Sequence, residues 1–445
     1  MRVLCIWFAK LIAVCCHMIG HNATNAAGKV IVRIYPEILT DLSKQVKEKI
    51  IVVCGTNGKT TTNNMIYKIL TDSGKTVVCN NLGANMIEGV IVAFLNNCTL
   101  TGRLKADFAC LEIDEGYAVR VFKYMKPHYV VLTNLFRDQL DRYGEIDITT
   151  KMLHNAFQEL SDTTLILNAD DPLGVQFGHK ESLKKLYYGI NQKINVEESE
   201  TKEGRICPLC GEDLSYSLYY YSQLGHFTCP KCDFKRPDTD YTVHDISFDN
   251  GLDFYINETH INLNYRGLYN VYNILAAFTA VCESGIDKNT VNNILQSYKP
   301  QIGRMEEFAF RNKKVVINLS KNPAGFNQGI STVLLDTTPK DILIAINANL
   351  QDGTDVSWLW DVDFERLDRD DTLSITTCGT RCYDMYLRLK YSDMTNIFVD
   401  TDIRHAITEL LKTESKIVYL LVNYTTLFPT QKIVKELLEE ENDGN

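Results

Sequence analysis

A chain of 445 residues with 45% hydrophobic content has room for two or three domains, each with a core of ordinary size. Its net charge of −10 excludes the broad basic surface of a nucleic-acid scaffold and leaves space only for a local basic site. Apart from one group of four, its 14 cysteines are scattered, which fits reduced cytoplasmic thiols better than a disulfide framework.

Residues Val3 to Ile19 are mostly apolar, but Lys10 and His17 interrupt them and no small-x-small cleavage site follows. The run is too short for a membrane span. Residues 1–45 are therefore read as an N-terminal helical segment packed on the body, with at most peripheral membrane contact. From about Lys47 short apolar strands alternate with helical segments. Strands are expected at Ile50–Val53, Thr76–Cys79, Phe108–Ile113, Tyr129–Thr133 and Thr164–Leu167. The alternation predicts an α/β fold with a parallel, doubly wound sheet, in which ligands sit at the carboxyl ends of strands.

Three chemically suggestive groups fall at such ends. The first is IVVCGTNGKTTT, Ile51 to Thr62: a β-branched run, a glycine-rich turn, then a helix start. Backbone amides and the positive end of a helix dipole there form an anion cradle. Gly55, Thr56, Asn57, Gly58, Lys59, Thr60 and Thr61 are the phosphate-binding candidates, with Thr60 also a hydroxyl ligand for Mg²⁺. Val53 stands where the general P-loop has its first glycine, which leaves the shorter G-T-N-G-K-T-T form of one group of ATP-dependent ligases. The second group is Glu112, Asp114 and Glu115; beside a phosphate loop, Glu112 is the favoured Mg²⁺ carboxylate. The third is the stretch Asn168 to Pro172. Asn168 suits an adenine edge and Asp171 a ribose hydroxyl, but a capped turn before proline uses the same residues.

Past Asn191 a polar stretch, Val196 to Gly204, leads into an insert at about 203–240. Cys207, Cys210, Cys229 and Cys232 have the C-x2-C-x18-C-x2-C spacing of a tetrathiolate zinc site. Four thiolates close the shell, so the zinc would be structural and would hold together an insert too small for its own core. Strands resume at Tyr241–Phe248 and Leu252–Ile256, and a helix follows in Gly267 to Val281. A linker around Lys299–Gly303 ends the central unit, 46–300, and opens a second α/β unit, 301–445. Its expected strands are Val315–Asn318, Asp341–Ile346, Leu373–Thr376 and Ile417–Val422, and its acidic tail, Glu439 to Asn445, reads as a frayed end.

The G-T-N-G-K-T-T loop and L-E-I-D-E-G (Leu111 to Gly116) are followed in order by TNLFRDQLDRYGE (Thr133 to Glu145) and LNADDP (Leu167 to Pro172). GLYNVYN (Gly267 to Asn273), GRME (Gly303 to Glu306) and KNPAG (Lys321 to Gly325) complete the set. Together they resemble the Mur ligase superfamily. The zinc-ribbon insert and DGTDVSWLWD (Asp352 to Asp361) narrow the resemblance to its MurT family.

The resemblance implies ATP- and Mg²⁺-dependent amidation of the α-carboxylate of D-glutamate in the lipid II stem peptide, through an acyl phosphate, in peptidoglycan synthesis. It implies that Asn270 and Asn273 lie near the nucleotide and Arg304 near the phosphates. Amino-acid-adding members carry histidines where Gln139 and Tyr269 stand, and Asp and His where Asn318 and Lys321 stand; Lys151 falls too close for their modified lysine. Those departures speak against an amino-acid nucleophile and fit ammonia. No cysteine lies in the G-x-C-x-G turn of a glutaminase nucleophile, so ammonia is expected from a separate GatD-like glutamine amidotransferase subunit in a heterodimer. In the family, Asp355 would complete that partner's Cys–His pair, with Asp352 its rival. A cytoplasmic enzyme working at the inner face of the membrane on a lipid-linked substrate is the expectation. The alternatives are a stand-alone amino-acid ligase of the Mur or folylpolyglutamate type, or a non-catalytic zinc-ribbon nucleotide-binding module.

Overall fold

The structure, a computed structural model, describes residues 6–8, 10, 24–80, 84–137, 146–194, 204–249, 251–298 and 303–443. Most of the apolar segment Val3–Ile19, the polar stretch 196–203, the linker residues 299–302, Gln139 and the last two residues of the tail lie outside them.

Among the described residues, eleven strands precede the second unit. They are β1 (Lys49–Cys54), β2 (Val77–Cys79), β3 (Phe108–Glu112), β4 (Tyr129–Leu132), β5 (Thr164–Asn168), β6 (Lys184–Ile190), β7 (Ser215–Tyr221), β8 (Leu224–Thr228) and β9 (Tyr241–Ser247); β10 (Leu252–Ile256) and β11 (Thr259–Leu263) complete them. Nine form one sheet in the order β11-β10-β9-β6-β5-β4-β1-β3-β2. Strands β1 to β6 and β9 run parallel, whereas β9, β10 and β11 make an antiparallel meander that widens the sheet. Each parallel neighbour needs a helical crossover, and the crossovers cover both faces. Helices Ile87–Asn97, Glu115–Tyr124 and Ile146–Phe157 pack one face, and helices Lys59–Asp72, Leu268–Glu283 and Lys288–Gln296 pack the other. Strand β1 lies between β3 and β4, where the winding reverses, so its carboxyl end opens onto the crevice of the sheet.

The second unit has β12 (Arg304–Ala309), β13 (Lys314–Leu319), β14 (Lys340–Ala345), β15 (Thr372–Cys378), β16 (Ile397–Val399) and β17 (Ile417–Val422) in the order β12-β13-β17-β14-β15-β16. Only the pairing of β12 with β13 is antiparallel. The central strand β17 is buried at all six positions, as expected of a strand covered on both faces. No helix among the described residues is long and apolar enough to cross a membrane.

The insert is a two-stranded hairpin, β7 with β8, fastened to the central sheet through Asp170. This carboxylate is fully buried. It accepts from Arg236 Nε at 2.6 Å, from Tyr272 Oη at 2.8 Å and from the Ile190 amide at 2.8 Å. Its own carbonyl accepts from the Gly225 amide of β8. Removing one member of such a buried network strands the others without water. Asp170→Ala is expected to cost about 3 to 5 kcal/mol of unfolding free energy by chemical denaturation; a loss within that expected of an exposed substitution would contradict the role.

Candidate active site

The carboxyl end of β1 turns sharply into helix Lys59–Asp72. Gly55 has φ +120° and Gly58 φ +83°, and both turn glycines have close neighbours. A Cβ on Gly55 would meet Thr133 Oγ1 at 2.3 Å, and one on Gly58 would meet Asn273 Oδ1 at 2.1 Å. Glycine is therefore required at both positions by backbone conformation and by space. The turn is held from outside by the segment after β4. The Thr56 amide donates to the Asn134 carbonyl (2.8 Å), and the Asn57 amide donates to Asn134 Oδ1 (2.9 Å). The Gly55 amide donates to Glu115 Oε1 (2.6 Å). With those three amides engaged, the first turn of the helix is the part left facing the cleft as an anion site.

Lys59 is buried, its ammonium donating to the Gly55 carbonyl at 2.5 Å and to Glu115 Oε1 at 3.0 Å. Burial pushes the Glu115 carboxyl up, and the neighbouring Lys59 ammonium works against that shift. Thr60 Oγ1 donates to Glu112 Oε2 at 2.7 Å, and Asn85 Nδ2 donates to Glu112 Oε1 at 3.2 Å. Asn80 fixes the strand end by bonding both the amide and the carbonyl of Glu112. A buried carboxylate beside a hydroxyl is a hard-oxygen donor pair that fits Mg²⁺. Asp114 instead caps helix Glu115–Tyr124 through the Gly116 amide.

The cleft above the turn is lined from three sides. Asn57, Gly58 and Thr61 form its floor, and Tyr269 and Asn273 come from the start of helix Leu268–Glu283. Arg304, Asn318 and Lys321 come from the second unit, and Tyr221 from the insert hairpin. Asn270 is buried beside them and accepts from Asn273 Nδ2 at 3.2 Å. The two units are tied by a reciprocal amide pair. Asn57 Nδ2 donates to Asn322 Oδ1 (3.2 Å), and Asn322 Nδ2 donates to Asn57 Oδ1 (3.0 Å).

Asn168 and Asp171 do not join this group. Asn168 donates to the Thr133 carbonyl and accepts from the Asp170 amide. Asp171 accepts from the Leu135 and Leu173 amides and from Gln223 Nε2. Burial pushes its pKa up to about 6, against the lowering by those hydrogen bonds. In this arrangement they brace the segment after β4, which makes them a capped turn. Lys151 is exposed on helix Ile146–Phe157.

The four insert cysteines converge, their sulfurs all within 4.8 Å of one another. The closest pairs are Cys207–Cys232 at 3.6 Å and Cys210–Cys229 at 3.5 Å. Tetrahedral Zn–S bonds of about 2.3 Å place sulfurs about 3.8 Å apart. The donor set thus fits one zinc ion, and Phe227 and Phe234, with Leu214 and Tyr216 beside them, pack against the cysteines.

On the second unit, Asp352 and Asp355 have separate surroundings. Asp352 is buried, accepting from the Thr425 amide at 2.9 Å and from the Thr425 hydroxyl. Asp355 is exposed, and its Oδ1 accepts from the Ser357 amide at 2.8 Å. The Ser357 amide and hydroxyl, and then the Arg137 guanidinium, hold its carboxyl below the usual range. Trp358 is half-buried on Phe326, whereas Trp360 is 53% exposed, next to Arg388 and Tyr391. The sequence reading missed Glu115 as the lysine's partner, Asn134 as the brace of the turn and Tyr221 as a wall of the cleft. Glu115 and Asn134 lie within quoted motifs, but the partner of each does not follow from the linear pattern, because each acts through a contact between distant segments.

A phosphate turn at the switch point of a parallel sheet, facing a second α/β unit across a cleft, defines a Mur-type ATP-dependent ligase. Comparison with known proteins agrees. The Mur ligase middle domain family matches residues 53–281 and the MurT ligase C-terminal family residues 319–427. The chain is similar to the lipid II isoglutaminyl synthase (glutamine-hydrolyzing) subunit MurT of Staphylococcus aureus strain COL, at 37% identity over 95% of each chain. Its identity to the subunit of that name from Streptococcus pneumoniae is 32%, over 94% of this chain and 93% of the other. Among solved structures, a pseudomurein peptide ligase type C from Methanothermus fervidus superposes with a TM-score of 0.71 at 25% identity, over 88% of this chain and 79% of that one. MurF from Acinetobacter baumannii shares the fold, with a TM-score of 0.67 at 15% identity, over 90% of this chain and 78% of that one. The chain belongs to the MurT family of the Mur ligases.

The sulfur geometry predicts one tightly held zinc per chain, read by metal analysis of the purified protein. Replacing Cys229 and Cys232 together by serine is expected to abolish it; a folded, metal-free wild-type chain would contradict the assignment.

Proposed function

We propose that this chain amidates the α-carboxylate of the D-glutamate residue in the stem peptide of lipid II, a step of peptidoglycan synthesis, with ATP as the activating cosubstrate. The observation that supports this best is the cradle of Gly55 to Thr61 facing Arg304 across the cleft, in a chain that aligns with a MurT subunit over 95% of its length. The substrate carboxylate attacks the γ-phosphorus and ADP leaves, giving an acyl phosphate. The nitrogen of ammonia then attacks the acyl carbon, phosphate leaves, and the amide sheds the surplus proton.

The chain's own residues have distinct parts in this reading. Amides of the first helical turn hold the phosphate oxygens, and Lys59 neutralises charge that shifts toward the leaving ADP. Arg304 meets the phosphates from the other side of the cleft, and Asn273 borders the nucleotide. Glu112 and Thr60 would hold Mg²⁺, which supplies charge neutralisation on the phosphoryl group. Tyr269, Asn318 and Lys321 line the cleft where amino-acid-adding relatives of this superfamily carry other groups, which favours a small neutral nucleophile.

The source of ammonia is a separate glutaminase subunit of the GatD kind, docked on the second unit. Asp355 is the residue assigned to complete its Cys–His pair, orienting the imidazole and stabilising its charged form. Its exposure supports this reading over Asp352, which is buried and accepts from the Thr425 amide. Trp360, five residues past Asp355, and Tyr391, whose ring lies 5.6 Å from that of Trp360, are exposed aromatic side chains suited to a partner interface. A lipid-linked substrate puts the reaction at the cytoplasmic face of the membrane.

With the partner present, Asp355→Asn is expected to abolish amidation driven by glutamine and to keep amidation driven by ammonium, measured by mass analysis of lipid II. Equal loss with both nitrogen sources would remove Asp355 from the glutaminase. Lys59→Ala is expected to lower both activities by at least about a hundredfold, the size typical of losing one transition-state charge partner. Retained activity would refute the phosphate-cradle reading.

A further inference from the structure

The segment that braces the phosphate turn also reaches the second unit. Phe136 is bonded twice to Thr56: its amide donates to Thr56 Oγ1 at 2.9 Å, and its carbonyl accepts from the same hydroxyl at 3.0 Å. The next residue, Arg137, extends its guanidinium to the second unit, where Nη1 donates to Asp361 Oδ2 at 3.1 Å. Asp361 closes the short 3-10 helix Ser357–Asp361, whose first amide binds the Asp355 carboxylate at 2.8 Å. A continuous series of local contacts therefore joins the phosphate turn to the residue assigned to the partner's active site.

We propose that the Arg137–Asp361 ion pair couples closure of the nucleotide cleft to the presentation of Asp355, so that glutamine is hydrolysed when the ligase is loaded and closed. The inference rests on the function proposed above. The pair joins groups from the two units that face each other across the cleft, so it forms only at the separation seen here, and opening the cleft breaks it. The reciprocal bonds between Asn57 and Asn322 close the same gap beside the phosphate turn. They end on the cap of helix Pro323–Leu334, whereas Arg137 ends on the helix that orients Asp355. The coupling has a chemical use. An acyl phosphate is lost to water if ammonia comes late, and ammonia is lost to solvent if it comes early. Both side chains of the pair are 33% exposed, which sets a modest strength suited to a contact that forms and breaks in each cycle.

The test uses the full heterodimer with its glutaminase partner. Glutamine hydrolysis is measured with and without ATP and lipid II, and amidation with glutamine or with ammonium. Arg137→Gln and Asp361→Asn are each expected to keep ammonium-driven amidation near the wild-type rate. Each is expected to reduce the stimulation of glutamine hydrolysis by ATP and lipid II about two- to fivefold, the range a half-exposed ion pair sets. The exchanged pair, Arg137→Asp with Asp361→Arg, is expected to recover most of that stimulation. Unchanged stimulation in the single variants overturns the proposal. So does equal loss with both nitrogen sources, which would mark a purely structural contact, and so does failure of the exchange to restore coupling. Asp355→Asn run alongside separates the two levels. If it still supports glutamine-driven amidation, the underlying reading fails and the coupling falls with it. If it does not, while the ion-pair variants behave as wild type, the coupling alone fails.

Discussion

The ammonium of Lys59 is almost out of water, and the contacts that tolerate it organise the rest of the site. An isolated buried ammonium is expensive, so it must be paired and hydrogen-bonded. Glu115 answers with one carboxylate that also takes the Gly55 amide, which locks lysine and turn into one unit. For Glu115 to stand there, β3 must lie beside β1 in the register that pairs Val53 with Glu112. The same register sets Glu112 against Thr60, three residues earlier in the chain than Glu115. One strand pairing thus places both carboxylates, one against the ammonium and one against the hydroxyl. A phosphate entering the cradle competes with Glu115 for Lys59, so the resting site carries a built-in substitute for its ligand's charge.

Much of the fold was legible because its parallel strands are short β-branched runs buried on both faces. The expected strand at Ile417–Val422 is β17 residue for residue; the antiparallel β10, buried at alternate residues, also keeps its expected bounds, Leu252–Ile256. What escaped has a physical reason in each case. Strand β6 begins with two exposed lysines, β12 alternates polar and apolar residues across a bulge, and β16 has three residues. The antiparallel meander is invisible to periodicity, since strand direction is decided by partners and not by the run itself.

The site divides along the same line. The phosphate turn is a contiguous stretch whose glycines have a steric reason, so it could be read directly. Glu112 stands where the strand end was expected to put it, beside the turn, with Thr60 as its hydroxyl partner. Asn168 and Asp171 read either as nucleotide contacts or as a capped turn; Asn168 donates to the Thr133 carbonyl, and Asp171 accepts from the Leu135 amide and from the Leu173 amide of its own helix. Asp352 and Asp355 look alike within the loop; what distinguishes their surroundings is Thr425, far along the chain, which bonds the first of them.

The insert has the broadest consequence. Its hairpin ends in Tyr221 and Gln223; the ring of Tyr221 packs 6.0 Å from that of Phe136, and Gln223 donates to the Leu135 carbonyl at 2.6 Å. The ribbon is thereby a wall of the nucleotide cleft rather than an appendage beside it. A metal held by the four converging sulfurs of the same insert would therefore set the shape of the cleft as well as that of the insert.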